Sequence, residues 1–155
     1  MAYEKLALPV FNQYMKSKKT AGIMFIDADH LKYINDTFGH DMGNLAISSI
    51  ASVIRQHCPD NSVSMRYGGD EFVCVIPDYD QTQLQNLKQN LLDSLATLSR
   101  NSRMAFPIEA SIGFVVADDS VFSLNDYINL ADEKMYTDKK NRKAGRENSH
   151  PASGL

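Results

Sequence analysis

The chain has 155 residues, a formal net charge of −3, 43% hydrophobic residues and 23% charged residues, which suits one soluble globular domain with a hydrophobic core. The acidic balance argues against a nucleic-acid-binding protein, and no apolar run approaches the roughly 18 residues that span a bilayer, so we expect neither a nucleic-acid partner nor membrane contact by this domain. Cys58 and Cys74 are the only cysteines, which excludes a disulfide framework or a cysteine zinc site and fits a reducing, cytoplasmic setting.

The first part of the chain predicts a helix, a buried strand and two more helices. Apolar residues at helical spacing indicate a helix near 9–15, and the continuously apolar run 21–26 is typical of a strand covered on both faces. That strand ends at Asp27. We expect one or two helical turns over 31–38 and a longer helix over 41–55.

The stretch Met65–Phe72 predicts a tight β-hairpin, because polar and apolar residues alternate before it and a short apolar run follows. We expect Gly68 and Gly69 to form a two-residue turn, since glycine takes positive φ without steric cost. Asp70 and Glu71 open the second strand, where carboxylates are costly to bury unpaired. Taken alone, these acids could equally be a solvated turn edge.

The second part of the chain predicts a helix, a strand and a last helix. Asp80 and Gln83 form a capping box, and leucines at helical spacing over 84–98 indicate core packing. A strand is expected over 107–117, and Ser123 begins a final helix.

This order of elements favours an α+β fold, with one mostly antiparallel sheet of about four to five strands flanked by helices. We expect a single domain over residues 1–155, ordered over about 8–146, with a flexible tail at 147–155.

Two acids at strand ends suggest a metal site. If the strands that carry Asp27 and Asp70 are neighbours, their carboxylates converge on one edge of the sheet and supply the hard oxygen ligands that Mg²⁺ prefers. Two such ions can clamp the attacking and leaving oxygens of a phosphoryl-type displacement. The alternative is that Asp27 simply ends a strand.

Two features suggest phosphate binding. Backbone N–H groups at a helix start, near His30, favour anions. Lys139 and Lys143 are spaced i,i+4 on the last helix, as are Arg142 and Arg146, and such pairs could hold a triphosphate tail. The alternative is a solvated basic surface, which is the more usual meaning of a charge run.

Several motifs together resemble one family. Residues 66–72 resemble the signature of GGDEF domains, the diguanylate cyclases, and 25–43 is similar to their second signature. Residues 111–113 and 131–139 match the late part of the pattern. The resemblance covers roughly 8–146, and all of these motifs occur in order at compatible spacing.

The resemblance implies a cyclase-type fold related to the polymerase palm, with the glycine hairpin at the active site. It implies a diguanylate cyclase that condenses two GTP molecules into cyclic di-GMP and releases two pyrophosphates. Each subunit would hold one GTP, so catalysis would need a homodimer. An N-terminal sensory or regulatory domain, absent from this chain, would complete the protein, because the family's opening motif is missing here.

The resemblance also implies roles for individual residues. Mg²⁺ (or Mn²⁺) would bind Asp27, the Ala28 carbonyl and Asp70. Asp70 and Glu71 would be catalytic, and which acid deprotonates the ribose 3′-hydroxyl stays open. GTP would contact the hairpin, the helix start, the last helix and two asparagines: Gly68, Gly69, His30, Leu31, Lys139, Lys143, Asn35 and Asn44.

The sequence departs from the family pattern in the base and product sites. Asn44 stands where the family usually has an aspartate that accepts hydrogens from guanine, so we expect relaxed base selectivity. Pro59, Asp60, Asn61 and Ser62 replace the Arg-x-x-Asp of the family's inhibitory product site, so we expect none here. Lys143 stands where an arginine is usual, and Arg146 is an alternative phosphate contact.

Two other functions remain possible from the sequence. A degenerate relative could bind GTP or dock a partner without turnover. A polymerase fragment would share the palm chemistry, but it would need a broad basic surface for its template, which an acidic chain lacks.

Overall fold

The computed structural model describes residues 6–16, 19–102, 104–118 and 122–149, with side chains as far as Lys143. Within these ranges the elements are α1 (Leu8–Lys16), β1 (Ala21–Ala28), α2 (Leu31–Phe38), α3 (His40–His57), β2 (Val63–Arg66), β3 (Glu71–Pro77), α4 (Gln81–Asn101), β4 (Ala110–Ala117) and α5 (Leu124–Ser149). The predicted order of helices and strands is confirmed. Helix α5 continues three residues into the expected tail, whose remaining residues, 150–155, lie outside the described ranges.

The four strands form one antiparallel sheet in the order β2-β3-β1-β4, which confirms the α+β prediction. All eight residues of β1 are buried, because β1 lies inside the sheet and both of its faces are covered. Among the described residues, no helix combines the length and hydropathy of a bilayer-spanning segment.

Alternation along the strands sends side chains into two separate apolar layers. Met24 and Ile26 of β1 pack with α3 and α4 on one face of the sheet. Ile23 and Phe25 pack with α1 and α5 on the other face. This period of two is the physical reason that a continuously apolar strand needs helices on both sides.

Helix α4 confirms the predicted cap and core stripe. The Asp80 carboxylate accepts a hydrogen bond from the Gln83 N–H at 2.8 Å, and the Gln83 side chain accepts one from the Asp80 N–H at 2.9 Å. Together these bonds satisfy two amides that the first helical turn leaves without partners. The leucine stripe behind the cap is buried at Leu84, Leu87, Leu91 and Leu95.

The predicted two-residue turn between β2 and β3 is wrong. The Glu71 carbonyl accepts from the N–H groups of Tyr67 at 2.7 Å and Gly68 at 3.3 Å, so the turn contains Gly68, Gly69 and Asp70. Among described glycines only Gly39 has φ in the left-handed region, so the turn glycines are not needed for positive φ. Because Tyr67 pairs with Glu71, three residues remain between the strands, and a three-residue loop is a common hairpin connection.

Candidate active site

The ends of β1 and β3 lie side by side, as the sequence predicted for their two acids. Asp27 faces Glu71 in the antiparallel register, and the Ala28 N–H donates to the Asp70 carbonyl at 2.9 Å. The negative charge of Asp70 is one of the influences that raise the pKa of Asp27. The convergence of these acids on one edge of the sheet is therefore confirmed, and their role as metal ligands stays a prediction.

Asp27 is a buried carboxylate that is incompletely paired. Burial, reinforced by the negative charge of Asp70, raises the pKa of Asp27 from 3.8 to about 6, while a hydrogen bond from Lys139 opposes the rise. Lys139 Nζ donates to Asp27 Oδ2 at 3.0 Å. Asp27 Oδ1 is buried and has no hydrogen-bond partner within the described part of the chain. An orphaned anionic oxygen at this depth favours a cation beside it.

Further acids make this edge strongly negative. Burial raises the pKa of Glu71, and the charges of Asp70 and Asp132 raise it further, while Lys139 lowers it. Asp132, on α5, is an acid that the sequence analysis did not assign to the site. Asp132 lies near these acids because of the path of α5 across the sheet, and the spacing of residues in the sequence does not reveal that path.

The donor set at this edge fits Mg²⁺. Within the described ranges, no three histidine, cysteine or acidic side chains form a metal cage by themselves. Mg²⁺ commonly takes only one or two carboxylates and completes its shell with water and phosphate oxygens. The carboxylates of Asp27 and Asp70, with the adjacent Ala28 backbone, offer such a partial shell.

The start of α2 lies directly beyond Asp27. His30 has φ 59° and ψ 25°, a left-handed conformation that turns the chain from β1 into α2. The first bond of the helix joins the Ile34 N–H to the His30 carbonyl at 2.9 Å. The Leu31 amide therefore has no acceptor inside the helix, and its position next to the acids suits an anion that accompanies a cation.

Arg142 bonds to two acids and a backbone carbonyl near the ends of β1 and β4. Its Nη1 donates to Asp29 Oδ2 at 2.9 Å and to the Ala110 carbonyl, and its Nη2 lies 3.4 Å from Glu109 Oε2. Ser111 Oγ donates to Asp29 Oδ1 at 2.7 Å. These bonds fasten α5 to the loop that follows β1. That Arg142 and Arg146 could act as a phosphate-holding pair stays a prediction, and the Arg146 side chain lies outside the described ones.

Of the two lysines predicted on α5, the structure brings Lys139 to the site. The hydrogen bond and negative charge of Asp27 raise the pKa of Lys139 despite the opposing effect of burial, so its charge is secure. Lys143 lies one helical turn further on and is exposed.

A cleft of about 370 Å³ lies between the β2–β3 hairpin and helices α2 and α3. Its lining includes both predicted base-reading residues, Asn35 and Asn44, together with Leu31, Gly69 and Asp70. Gly43 also lines it, and a Cβ at Gly43 would overlap the Asn35 side chain. The structure thus brings both predicted base-reading residues and one predicted metal ligand, Asp70, to a single opening.

Arg66 is a cleft residue that the sequence analysis used only as part of a motif. Its guanidinium donates to the Gly69 carbonyl through both Nε and Nη2, with Nε at 3.2 Å. This bond closes the Gly68–Asp70 turn, and Arg66 also lines the cleft. The sequence offered a weak indication of this contact, because an arginine can bond to a turn carbonyl three residues later. That spacing is too common to identify the contact.

We expect Asp27→Asn to make the metal-free protein more stable at neutral pH. Because the folded pKa of Asp27 lies above 3.8, the folded state binds more protons than the unfolded one between about pH 4 and 6, so this group costs stability as pH rises. The full cost at pH 7.5 is at most about 3 kcal/mol, and an amide avoids it.

Urea denaturation of both proteins in EDTA, at pH 4.5 and pH 7.5, checks this prediction. The gap between Asp27→Asn and the unaltered chain should widen at the higher pH by about 1–3 kcal/mol. A gap that is the same at both pH values would contradict it.

Comparison with known proteins identifies relatives over nearly the whole chain. Residues 2–145 match the family described as diguanylate cyclase, GGDEF domain. The probable diguanylate cyclase DgcT of Escherichia coli K12 is 30% identical over 121 residues, which are 76% of this chain and 27% of that protein. An uncharacterized 19.3 kDa protein from the repSA 5′ region of Streptomyces ambofaciens is 35% identical over 133 residues, 85% of this chain and 69% of that one.

The fold has counterparts among solved structures. The GGDEF domain of DgcB from Caulobacter crescentus, crystallised in complex with c-di-GMP, superposes with a TM-score of 0.81 at 25% identity, over 90% of this chain and 84% of that one. The chain spans 27% of the length of DgcT, so it corresponds to one part of that longer relative.

Proposed function

The chain belongs to the diguanylate cyclase GGDEF-domain family, and from this premise we propose that it condenses two GTP molecules into cyclic di-GMP and releases two pyrophosphates. The observation that carries the proposal is the pair of adjacent acids, Asp27 and Asp70, with a buried Asp27 oxygen that no described residue bonds. That arrangement costs stability in the free protein and suits a site that receives a cation with its nucleotide.

Asp27, the Ala28 carbonyl and Asp70 would hold Mg²⁺ (or Mn²⁺). When bound, the ion would neutralise phosphate charge and lower the pKa of a coordinated hydroxyl. Glu71 is the better candidate for the base, since its raised pKa strengthens it as a proton acceptor for the ribose 3′-hydroxyl. Asp70 would position the reacting groups.

The triphosphate would lie between α2 and α5. The His30 and Leu31 backbone would face the phosphates at the start of α2, where the helix dipole is positive. Lys139, now 3.0 Å from Asp27, can pair with a phosphate oxygen instead, and Lys143 lies on the same face of α5. Gly68 and Gly69 would let the nucleotide approach the turn, where a Cβ at Gly69 meets no atom within 4 Å.

The complete reaction needs two nucleotides facing each other. One cleft of this size beside one acid pair serves one GTP, so we propose a homodimer in which each subunit supplies one substrate. We also propose that a further, N-terminal regulatory domain accompanies this one, because DgcT is much longer than the matching region. The reaction would take place in the cytoplasm, where GTP is available.

A turnover assay tests the proposal. The purified chain is incubated with Mg²⁺ and GTP, and products are identified by mass after chromatography. Cyclic di-GMP with two pyrophosphates per product supports the proposal. GTP binding without any product would instead indicate a regulatory module, the alternative left by the sequence. Added cyclic di-GMP should not inhibit through residues 59–62, where the Ser62 N–H and hydroxyl close a tight turn on the Pro59 carbonyl.

We expect Asn44→Asp to increase the selectivity of the protein for GTP over ATP. An asparagine offers one acceptor and two donors, so it satisfies guanine only partly and can accept adenine, whereas a carboxylate accepts from both guanine donors. With equal GTP and ATP, we expect the unaltered chain to form some mixed cyclic GMP–AMP, and Asn44→Asp to reduce that share about tenfold.

Mass analysis of the mixed reaction gives the two product ratios directly. Asn90→Asp, an exposed substitution on α4, makes the same charge change away from the cleft and should leave the ratio unaltered. Exclusive, rapid formation of cyclic di-GMP by the unaltered chain would contradict the assigned role of Asn44.

A further inference from the structure

Two ion pairs join α5 to the chain where it leaves β1. Lys139 Nζ lies 3.0 Å from Asp27 Oδ2, and Arg142 Nη1 lies 2.9 Å from Asp29 Oδ2. Lys139 and Arg142 are three residues apart on α5, so they lie on one face of the helix. That face therefore contacts the end of β1 at two points, one on each side of Ala28.

The two basic side chains differ in how firmly they are held. Arg142 Nη1 also donates to the Ala110 carbonyl, and its Nη2 lies 3.4 Å from Glu109 Oε2. The Arg142 side chain is 29% exposed and that of Lys139 is 43% exposed. A planar guanidinium that serves several acceptors loses more on leaving them than an exposed ammonium loses on leaving one carboxylate. We therefore expect Lys139 to exchange partners when a phosphate binds, and Arg142 to stay in place.

Asp29 differs from Asp27 in that both of its carboxylate oxygens are hydrogen-bonded. Ser111 Oγ donates to Oδ1 at 2.7 Å, and Arg142 donates to Oδ2. The Asp29 N–H also donates to the Glu109 carbonyl at 2.9 Å, and the residue is buried. At Asp27, by contrast, no described residue bonds Oδ1. Asp29 is therefore suited to hold the chain, whereas Asp27 is suited to receive a cation.

The segment that Asp29 holds carries backbone groups of the proposed site. Asp29 lies between the Ala28 carbonyl, a proposed metal ligand, and the His30 and Leu31 backbone, which would face the phosphates. His30 has φ 59°, and a left-handed conformation at a residue other than glycine persists only where neighbouring contacts hold it. The bonds to Asp29 are directly beside this turn, so they help to fix the path of the chain into α2.

We propose that Arg142 and Asp29 are positioning residues of the nucleotide site. Their ion pair fixes residues 28–31 against α5, while Lys139 exchanges Asp27 for a phosphate oxygen. Arg142 thus acts on the nucleotide through this segment and not by contact with a phosphate. The proposal rests on the proposed function for the identity of the nucleotide, but the rigidity of the segment is measurable without any nucleotide.

Amide hydrogen exchange in the nucleotide-free protein, followed residue by residue by NMR, tests the ion pair. Arg142→Met should speed exchange of the Asp29 and Ile34 amides about tenfold and leave the β1 interior unaltered. Asp29→Asn leaves one oxygen where two are used, so it should act in the same direction. The double variant should exchange no faster than Arg142→Met, because both changes break the same pair. Arg100→Met, an exposed arginine on α4, is the matched control and should change neither amide.

Binding of the α,β-methylene analogue of GTP with Mn²⁺, measured by calorimetry, separates positioning from contact. We expect Arg142→Met to weaken binding about tenfold together with the faster exchange. Arg142→Lys keeps the charge but not the planar fork, so it should restore only part of both. Weaker binding with unaltered exchange would indicate a direct phosphate contact and would overturn the proposal.

Two further results would also overturn it. One is unaltered exchange of the Asp29 amide in Arg142→Met, and the other is exchange that rises equally in β1 and α4, which would indicate a general loss of stability. If Arg142→Met fails to fold, Arg142→Lys and Asp29→Asn carry the same exchange test. Absence of cyclic di-GMP from the unaltered chain would contradict the proposed function, whereas the exchange rates would still decide the role of the ion pair.

Discussion

Asp70→Asn is expected to reduce GTP turnover by about 10³-fold, because it removes one of the two carboxylates that would hold the metal while keeping the size of the side chain. The variant should fold normally. The substitution removes a negative charge that repels Asp27. It keeps the backbone carbonyl of residue 70, which pairs with the Ala28 N–H. Loss of activity would therefore report on chemistry and not on stability.

Asp78→Asn is the matched control for this substitution. Asp78 directly follows the other end of β3, is exposed, and has φ 61°, a conformation that asparagine also tolerates. Cyclic di-GMP formation is measured for both variants alongside circular dichroism. Turnover by Asp70→Asn above about a tenth of that of the control would be incompatible with a metal-binding role of the size assigned.

Gly113→Ala is expected to destabilise the fold by about 3–5 kcal/mol or to prevent folding. A Cβ at Gly113 would overlap the Met135 nitrogen and the Ala131 carbonyl oxygen of α5, and it would lie 2.6 Å from the Lys134 carbonyl carbon. These are backbone atoms, so no side-chain rotation relieves the clash. The helix would have to leave the sheet.

Gly69→Ala is the stability control, because a Cβ there meets no atom within 4 Å. Urea denaturation of both variants should give a large loss of unfolding free energy for Gly113→Ala and about 1 kcal/mol or less for Gly69→Ala. Equal losses would contradict the close packing of α5 on β4. Where Gly113→Ala still folds, displacement of α5 should also weaken the contact between Lys139 and Asp27.

The sequence allowed the order of elements and the acid edge to be predicted, for a clear physical reason. Hydrophobic periods of 2 and 3.6 are local properties, so the strand over 21–26 and the leucine stripe of α4 could be read directly. The adjacency of Asp27 and Asp70 followed once β1 and β3 were taken as neighbours. The sheet order confirms that step.

The features that were missed depend on tertiary position. The glycine pair predicts a two-residue turn, whereas pairing of Tyr67 with Glu71 leaves three residues, Gly68–Asp70, in it. Helical spacing relates Arg142 to Arg146, but it does not report that the buried Asp29 carboxylate binds the Arg142 guanidinium. Asp132 acts on Glu71 from a distant part of the chain, and no local pattern reports such an effect.

The central claim is that Asp27 and Asp70 share a divalent cation over a nucleotide triphosphate. A crystal grown with Mn²⁺ and a non-reactive GTP analogue tests it through the anomalous scattering of manganese. We predict a manganese peak within about 2.5 Å of a carboxylate oxygen from each acid, with the guanine in the cleft beside Asn35 and Asn44. Manganese bound to the triphosphate without either acid, or nucleotide bound elsewhere on the protein, would contradict the account.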